Sequence, residues 1–289
     1  MRKRRGPFRP ALGAVCAALV LAAVLAPAEG IPGAKDEIAV VLKDKIIRDL
    51  SSAGLVLAFH VGLKNPTSAP RALVRYRYRV TVNQREFLNL TVPLDEPLAV
   101  PAGAETIVAL PVKITYDLLE AAVGPIEGRA VCDIVGDMYF VTERKKEQRV
   151  PFAFSGEFPI FEDPEIVLLP LKVNDLTVGG ADVVFRPRFK NLNIYELIVD
   201  RISYTLSFMD AEVLSGSVPG DKNLPSSGGK SFELPFLLDF FEAGESMREA
   251  FRKEAFACRF AGEIEVASVW GRLIVRFDMT QELRLEKAP

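Results

Sequence analysis

The clearest pattern in the chain is an alternation of apolar and polar residues between positions 74 and 82. One face carries Val74, Tyr76, Tyr78, Val80 and Val82, and the other carries Arg75, Arg77, Arg79 and Thr81. A period of two is that of a β-strand with one buried and one solvated face. The pattern therefore predicts a half-buried antiparallel strand.

The same pattern returns 126 positions later, where Ile202, Tyr204, Leu206 and Phe208 repeat the apolar face. Further matches at this spacing join Phe59 to Phe185, Lys64-Asn65 to Lys190-Asn191, Pro93 to Pro219 and Cys132 to Cys258. Leu110-Pro111 matches Leu234-Pro235 at a spacing of 124. This ordered set indicates two tandem copies of one structural unit of about 125 residues.

Turn and helix signals divide each copy into short elements. Residues 49–54 and 175–180 are predicted turns, because Gly, Ser and Asp favour such positions. The hairpin strand that follows is expected to end near Pro93 or Pro219. One short helix is predicted in each copy, over residues 117–122 in the first and from a capping box at residues 246–249 in the second.

These signals predict an all-β fold of two tandem β-sandwich domains with immunoglobulin-like or fibronectin type III-like architecture. Each copy has about seven strands and one short helix. The predicted domains are residues 36–160 and 161–287. Two prolines and two acidic residues in the segment 158–164 predict a short, stiff linker between them.

Residues 1–28 have the three-part layout of a secretory signal peptide. Five basic residues precede an apolar run at residues 11–26, and a small-x-small sequence ends at Ala28. The layout predicts export to the periplasm or the extracellular space, with cleavage after Ala28. The alternative is an uncleaved N-terminal membrane anchor, although this run is short for a helix that crosses about 30 Å of hydrocarbon.

The net charge of the chain limits the classes of partner that it can bind. Without the five basic residues of the signal segment, 31 basic residues face 38 acidic ones, a formal net charge of −7. A general nucleic-acid-binding protein needs a basic surface that displaces counterions from phosphates. We therefore exclude nucleic acid as the partner.

The cysteines that remain after the signal segment are Cys132 and Cys258. They occupy equivalent positions in the two copies, so each lies on the same strand of its own domain. A disulfide requires Cα atoms within about 7 Å of each other. The two residues are therefore predicted to be buried free thiols that behave as small apolar side chains.

The first copy resembles the group 2 late embryogenesis abundant family, also called the water stress and hypersensitive response domain. The resemblance rests on Lys64-Asn65-Pro66, the Tyr78 strand, the hairpin to Pro93, the Pro101-Ala-Gly loop and the segment 110–118. It extends to the second copy, which departs from the family at Leu192, where proline is usual. The resemblance implies a compact β-sandwich associated with desiccation stress, without catalytic residues. Some relatives are membrane-anchored and have been proposed to hold lipid.

His60 is the only histidine in the chain, and the second copy has Arg186 at the equivalent position. A hydrolytic triad or a zinc site needs further groups around it. We interpret His60 as a solvent-facing or hydrogen-bonded strand residue. No catalytic residue, metal site or cofactor is predicted, so the chain is not expected to be an enzyme.

Arg75, Arg77 and Arg79 form a ladder that the second copy lacks beyond Arg201. Guanidinium groups about 7 Å apart on one sheet face match phosphate or lipid headgroups. The alternative is a solvated face whose arginines pair with glutamates such as Glu86 and Glu105.

An apolar run in the second copy contains Phe232, Leu234, Phe236, Leu237, Leu238, Phe240 and Phe241. Such a run usually fills a sandwich core or an interface between domains. Where nothing covers it, it marks a partner site or an apolar groove for an acyl chain. The groove residues would be Phe232, Leu234, Phe236, Leu238 and Phe240.

Two functions are carried forward from the sequence. In the first, the chain is an exported, non-enzymatic stress protein that binds or shields client proteins or other macromolecules in the cell envelope. In the second, it carries lipid or another amphiphile in the apolar groove, with the arginine ladder near the headgroups or the membrane surface.

Overall fold

The computed structural model describes residues 37–142, 145–253 and 255–287. The predicted signal peptide, residues 1–28, lies outside the described residues. So do residues 143 and 144 of the charged hairpin tip. Among the described residues, no helix is long and apolar enough to span a lipid bilayer.

The described residues of the first copy form seven strands and one helix. They are β1 (Ala39–Ser51), β2 (Gly54–Lys64), β3 (Arg71–Val82), β4 (Arg85–Val100), β5 (Glu105–Thr115), α1 (Tyr116–Val123), β6 (Arg129–Val141) and β7 (Glu147–Pro159). One sheet has the order β1-β2-β5 and the other the order β4-β3-β6-β7, with antiparallel pairing throughout.

The second copy repeats this order with several strands divided. Its elements are β8 (Glu165–Leu168), β9 (Leu171–Leu176), β10 (Gly180–Phe185), β11 (Pro187–Lys190), β12 (Leu197–Phe208), β13 (Ala211–Leu224), β14 (Gly229–Ser231), β15 (Leu234–Asp239), α2 (Phe240–Ala243), α3 (Glu245–Lys253), β16 (Ala255–Ser268) and β17 (Gly271–Lys287). A three-stranded sheet has the order β14-β11-β8, and a seven-stranded sheet has the order β13-β12-β16-β17-β9-β10-β15.

The buried apolar side chains form two clusters. One is built from residues between Ile38 and Phe158, and the other from residues between Phe161 and Leu283. Each cluster is formed mainly by alternate, inward-pointing residues of strands from both sheets of one copy. The all-β, sandwich-like fold predicted from the sequence is confirmed.

The strand pattern at residues 74–82 is confirmed with one correction. Tyr76, Tyr78, Val80 and Val82 are buried, but Leu73 rather than Val74 continues the inward face. The register of β3 shifts between Leu73 and Arg75 against both neighbouring strands. Such a β-bulge adds one residue and reverses the alternation on its far side.

The prediction that the hairpin strands end near Pro93 and Pro219 is wrong. β4 continues to Val100 and β13 to Leu224. Both are edge strands of their sheets, where a proline without an N–H group is tolerated. In each copy the strand register shifts next to the cross-strand pair that contains this proline. The pair is Arg75 with Pro93 in the first copy and Arg201 with Pro219 in the second.

The second copy has two helices, where one was predicted. α2 ends at Gly244, whose positive φ of 87° suits glycine. α3 begins at once, and the carbonyl of Gly244 accepts from the N–H groups of Met247 and Arg248. Ser246 therefore lies inside α3 and does not cap it.

Cys132 and Cys258 are buried free thiols, as predicted. Burial raises the pKa of each to about 12. Because the thiolate is the reactive form, both groups are inert in the folded chain.

Candidate functional site

The Lys-Asn motif holds a loop together in the first copy. Asn65 is buried, and its Nδ2 donates to the carbonyls of Ala69 and Val100 at 3.0 Å each. Its Oδ1 accepts from Thr67 N at 3.1 Å. One amide side chain thus satisfies backbone groups from two segments, which explains why the motif needs asparagine.

Asn191 does the same in the second copy. Its Nδ2 donates to the carbonyls of Tyr195 at 2.7 Å and Leu224 at 3.2 Å, and its Oδ1 accepts from Asn193 N at 2.9 Å. Asn193 in turn exchanges two hydrogen bonds with the backbone of Glu162 in the linker. The motif is therefore a structural clamp in both copies, and in the second it also fixes the linker.

The β1–β2 turn and α1 of the first copy pack against the linker and the second copy. Ser52 Oγ donates to Asp163 Oδ2 at 2.7 Å. Leu50 and Tyr116 pack against both apolar clusters. A Cβ added to Gly128 would lie 2.2 Å from Cδ1 of Ile194, so the copies approach closely there.

Tyr116 joins the copies through its hydroxyl group. It donates to the carbonyl of Pro159 at 3.0 Å and accepts from Phe161 N at 3.2 Å. Burial raises the pKa of Tyr116 to about 12, and burial likewise raises the pKa of Tyr195, whose hydroxyl donates to Ile160 O. Both phenols remain protonated donors at neutral pH and act structurally.

Two of the three ladder arginines form ion pairs with carboxylates on other strands of the same sheet. Arg75 pairs with Glu147 at 2.7 Å and lies 3.9 Å from the centre of the Tyr139 ring. Arg77 pairs with Asp137 at 2.9 Å. Carboxylates are present as the solvated-face interpretation required, but they are not Glu86 and Glu105; Glu105 pairs with Lys43.

Asp137 is the centre of this network. Its side chain is 7% exposed and accepts from Arg149 at 2.5 Å as well as from Arg77. Burial raises its pKa, but the hydrogen bonds and charges of Arg149 and Arg77 outweigh that effect and hold the pKa below its ordinary value. Of the three ladder residues, Arg79 is exposed and has no ion pair with another described residue.

Most of the apolar run lies in the core. Phe232, Leu234, Leu238 and Phe240 are buried, and Phe236 is half-buried against the same cluster. Buried side chains offer no open surface to an acyl chain. The exposed members of the run are Leu237 and Phe241, at 82% each.

Val178 is 78% exposed and precedes Gly179 in the β9–β10 turn, which meets α2. The carbonyl of Gly179 accepts from Phe240 N at 2.9 Å, and a Cβ on Gly179 would lie 3.2 Å from the Phe241 ring. These contacts bring β15, α2 and the turn together. We call Val178, Leu237 and Phe241 the second-copy corner.

A shallow depression of about 250 Å³ adjoins the second-copy corner. Its lining includes Leu237 and three carboxylates, from Asp175, Asp182 and Asp239, but neither lysine nor arginine. Asp239 caps α2 by accepting from Phe241 N at 2.7 Å. Asp175 and Asp182 face each other across the β9–β10 pair.

The sequence analysis favoured core packing for the run and left Leu237 and Phe241 out of the alternative groove, and it did not identify Val178 or the aspartates. The alternation of residues along β15 separates the outward from the inward members of the run. Leu237 pairs with Asp182 on the outer face, and Leu238 pairs with Ala181 on the inner face.

His60 is half-buried on β2, between Asp44 of β1 and Ala109 of β5. In the described part of the chain, no group of three or more His, Cys, Asp or Glu side chains is arranged to hold a metal ion.

Comparisons with known proteins give weak similarity. No family model and no curated protein match the chain. A crystal structure of a protein from Archaeoglobus fulgidus is 12% identical over 43% of this chain and 97% of its own, with a TM-score of 0.32. A solution structure of an Arabidopsis thaliana protein is 13% identical over 44% of this chain and 85% of its own, with a TM-score of 0.35. An anti-sigma factor domain-containing protein is 9% identical over 81% of this chain and 90% of its own, with a TM-score of 0.22. Similarity at these scores carries no functional conclusion.

Proposed function

We propose that the chain is an exported, non-enzymatic stress protein that binds or shields other macromolecules in the cell envelope. The proposal follows from the predicted signal segment and from the resemblance to the group 2 late embryogenesis abundant family. A folded β-sandwich suits such a role, because it presents a preformed surface at little conformational cost.

The observation that carries the proposal is the second-copy corner. Val178, Leu237 and Phe241 are mostly exposed on three elements of the second copy, and a hydrogen bond joins the β9–β10 turn to α2. Clustered apolar side chains on a folded surface are typical of a site that another molecule covers. Single exposed apolar residues would not support this argument.

The arginine ladder and the apolar run give less support to a binding site. Arg75 and Arg77 are already paired with carboxylates, so a phosphate would have to compete with Glu147 and Asp137. The run fills the core of the second copy. For these reasons we favour the binding of macromolecules over the carriage of lipid.

A drying assay tests the proposal. A dehydration-sensitive test enzyme is dried and rehydrated with the purified chain, or with an unrelated β-sandwich protein at equal mass. We expect the chain to preserve clearly more enzyme activity than the control protein. Equal recovery in the two samples would contradict a protective function.

A further inference from the structure

We propose that the second-copy corner binds a polypeptide segment in which apolar side chains stand next to lysine or arginine. This inference rests on the proposed function, since it specifies the partner of the same surface. The argument combines the exposed apolar group, the unpaired carboxylates around it and the role of the equivalent corner in the first copy.

The apolar part of the surface is formed by three separate elements. Val178 lies in the β9–β10 turn, Leu237 on β15 and Phe241 on α2. Each is at least 78% exposed. A partner that covers these three side chains would remove their apolar surface from water, and this is the main source of affinity at such a site.

The charged part is uncompensated. Asp175 and Asp182 are direct cross-strand partners, and like charges in that position repel each other. Together with Asp239 they line the depression beside Leu237. None of the three is in an ion pair with another described residue. A lysine or arginine from a partner would relieve this repulsion while it gains charged hydrogen bonds.

The repeat shows what this corner does in the first copy. There the equivalent turn contains Ser52, which bonds Asp163, and Leu50 packs against both apolar clusters. The same end of the sandwich therefore already contacts another folded polypeptide once in this chain. In the second copy the residues at the positions of Leu50 and Ser52 are Leu176 and Val178, which are 43% and 78% exposed.

The charges also select against an anionic lipid surface. Carboxylates from Asp175, Asp182 and Asp239 would face headgroup phosphates, and the repulsion would oppose insertion of Leu237. A cationic amphipathic polypeptide satisfies both the apolar and the acidic parts of the surface. It is the occupant to which the proposal commits.

Binding of synthetic peptides tests the proposal. The probes are a fluorescent peptide of alternating leucine and lysine and its counterpart of alternating leucine and glutamate, measured by anisotropy with the purified chain. We expect the lysine peptide to bind and added salt to weaken it. The double variant Leu237→Ser/Phe241→Ser should weaken it about tenfold or more, and Asp175→Asn/Asp182→Asn about threefold.

Val269→Ser is the matched control, because Val269 is 84% exposed in a turn of the same copy, outside the corner. It should leave binding unchanged. Equal binding of the glutamate peptide, or an equal loss in Val269→Ser, would overturn the proposal. So would binding to phosphatidylglycerol vesicles without binding to the lysine peptide.

The outcome can be separated from that of the proposed function. If the Leu237→Ser/Phe241→Ser variant protects the dried test enzyme as well as the unmodified chain does, the corner is not the binding site, and this inference fails alone. If the unmodified chain gives no protection, the proposed function itself fails.

Discussion

The two copies differ most instructively along one row of residues that crosses three strands. In the first copy Asp44, His60 and Ala109 pair across β1, β2 and β5, and β2 and β5 continue through the row. In the second copy the row is Pro170, Arg186 and Glu233, and all three strands are interrupted there. Pro170 and Pro187 supply no N–H group to a ladder. The two prolines therefore favour interruption of the first two strands of the row.

In the described residues, the second copy has a strand pairing between its layers that is not found in the first copy. β9 pairs in parallel with the end of β17, from Leu171 with Leu285 to Val173 with Lys287. Arg186 bridges the interruption, because it donates to the carbonyl of Pro170 and pairs with Glu286. This parallel pair joins β9, β10 and β15 to the seven-stranded sheet.

The residues at the second-copy corner also differ from those at the equivalent positions of the first copy. Ser52, Lys113 and Asp117 occupy the positions of Val178, Leu237 and Phe241, and the exposed Leu118 stands in place of Glu242. Matched substitutions can test how far each difference matters.

The largest expected effects come from the feature that the copies share. Phe59 and Phe185 are equivalent and fully buried. Phe59→Ala and Phe185→Ala should each lower the free energy of unfolding of the affected copy by about 3–5 kcal/mol, because each leaves a cavity. Urea unfolding followed by hydrogen exchange locates the loss. A change below about 1 kcal/mol in either variant would contradict equivalent cores.

The asparagine clamp comes next. Asn65→Ala and Asn191→Ala should each cost about 2–3 kcal/mol, since buried backbone carbonyls lose their donor. Asn191→Ala should also loosen the linker, because Asn191 positions Asn193. Hydrogen exchange at Phe161 and Glu162 measures this effect. Faster exchange in Asn65→Ala alone would contradict the assigned roles.

Matched substitutions in the interrupted row should change the stability of the two copies by different amounts. Arg186→Met should cost about 1–2 kcal/mol, because the carbonyl of Pro170 and the carboxylate of Glu286 lose their donor. His60→Met, at the equivalent position in a continuous sheet, should change stability by less than about 0.5 kcal/mol. Thermal unfolding compares the two. Equal effects would show that the break does not depend on Arg186.

The smallest expected effect concerns Asp137 and its equivalent, Glu263. Asp137→Asn should cost about 1 kcal/mol at neutral pH, because two arginines lose a buried partner. Glu263 pairs with Arg276 at 3.9 Å on the surface, so Glu263→Gln should have little effect.

The pH dependence of stability gives a further test of the role of Asp137. The pKa of Asp137 is lowered in the fold, so its contribution is complete above the unfolded value of about 3.9 and is lost as the pH falls through the lower folded value. The stability difference between the unmodified chain and Asp137→Asn should therefore shrink below about pH 4. A difference that grows on acidification would contradict the assignment.

The sequence was sufficient for the fold class because local alternation and the repeat agree, as at Tyr78 and Tyr204. It placed the thiols of Cys132 and Cys258 correctly through the repeat alone. It did not reveal that β4 and β13 pass their prolines, because that depends on their being edge strands. It also missed the partners of Arg75 and Arg77, which lie about 60 to 70 residues away in sequence.

The candidate site was the least predictable part. The segment from Phe232 to Phe241 is mostly apolar, and its pairing with β10 separates inward from outward residues. Val178 belongs to the site because a turn from another segment meets α2 there.

An exchange of corner residues tests the central claim most directly. The variant Leu237→Lys/Phe241→Asp gives the second copy the residues of the first at these exposed positions, and its protection of the dried test enzyme is compared with that of the unmodified chain. We expect protection to fall toward the level of an unrelated β-sandwich protein while thermal stability is retained. Full protection by this variant would contradict the claim that the chain acts through the second-copy corner.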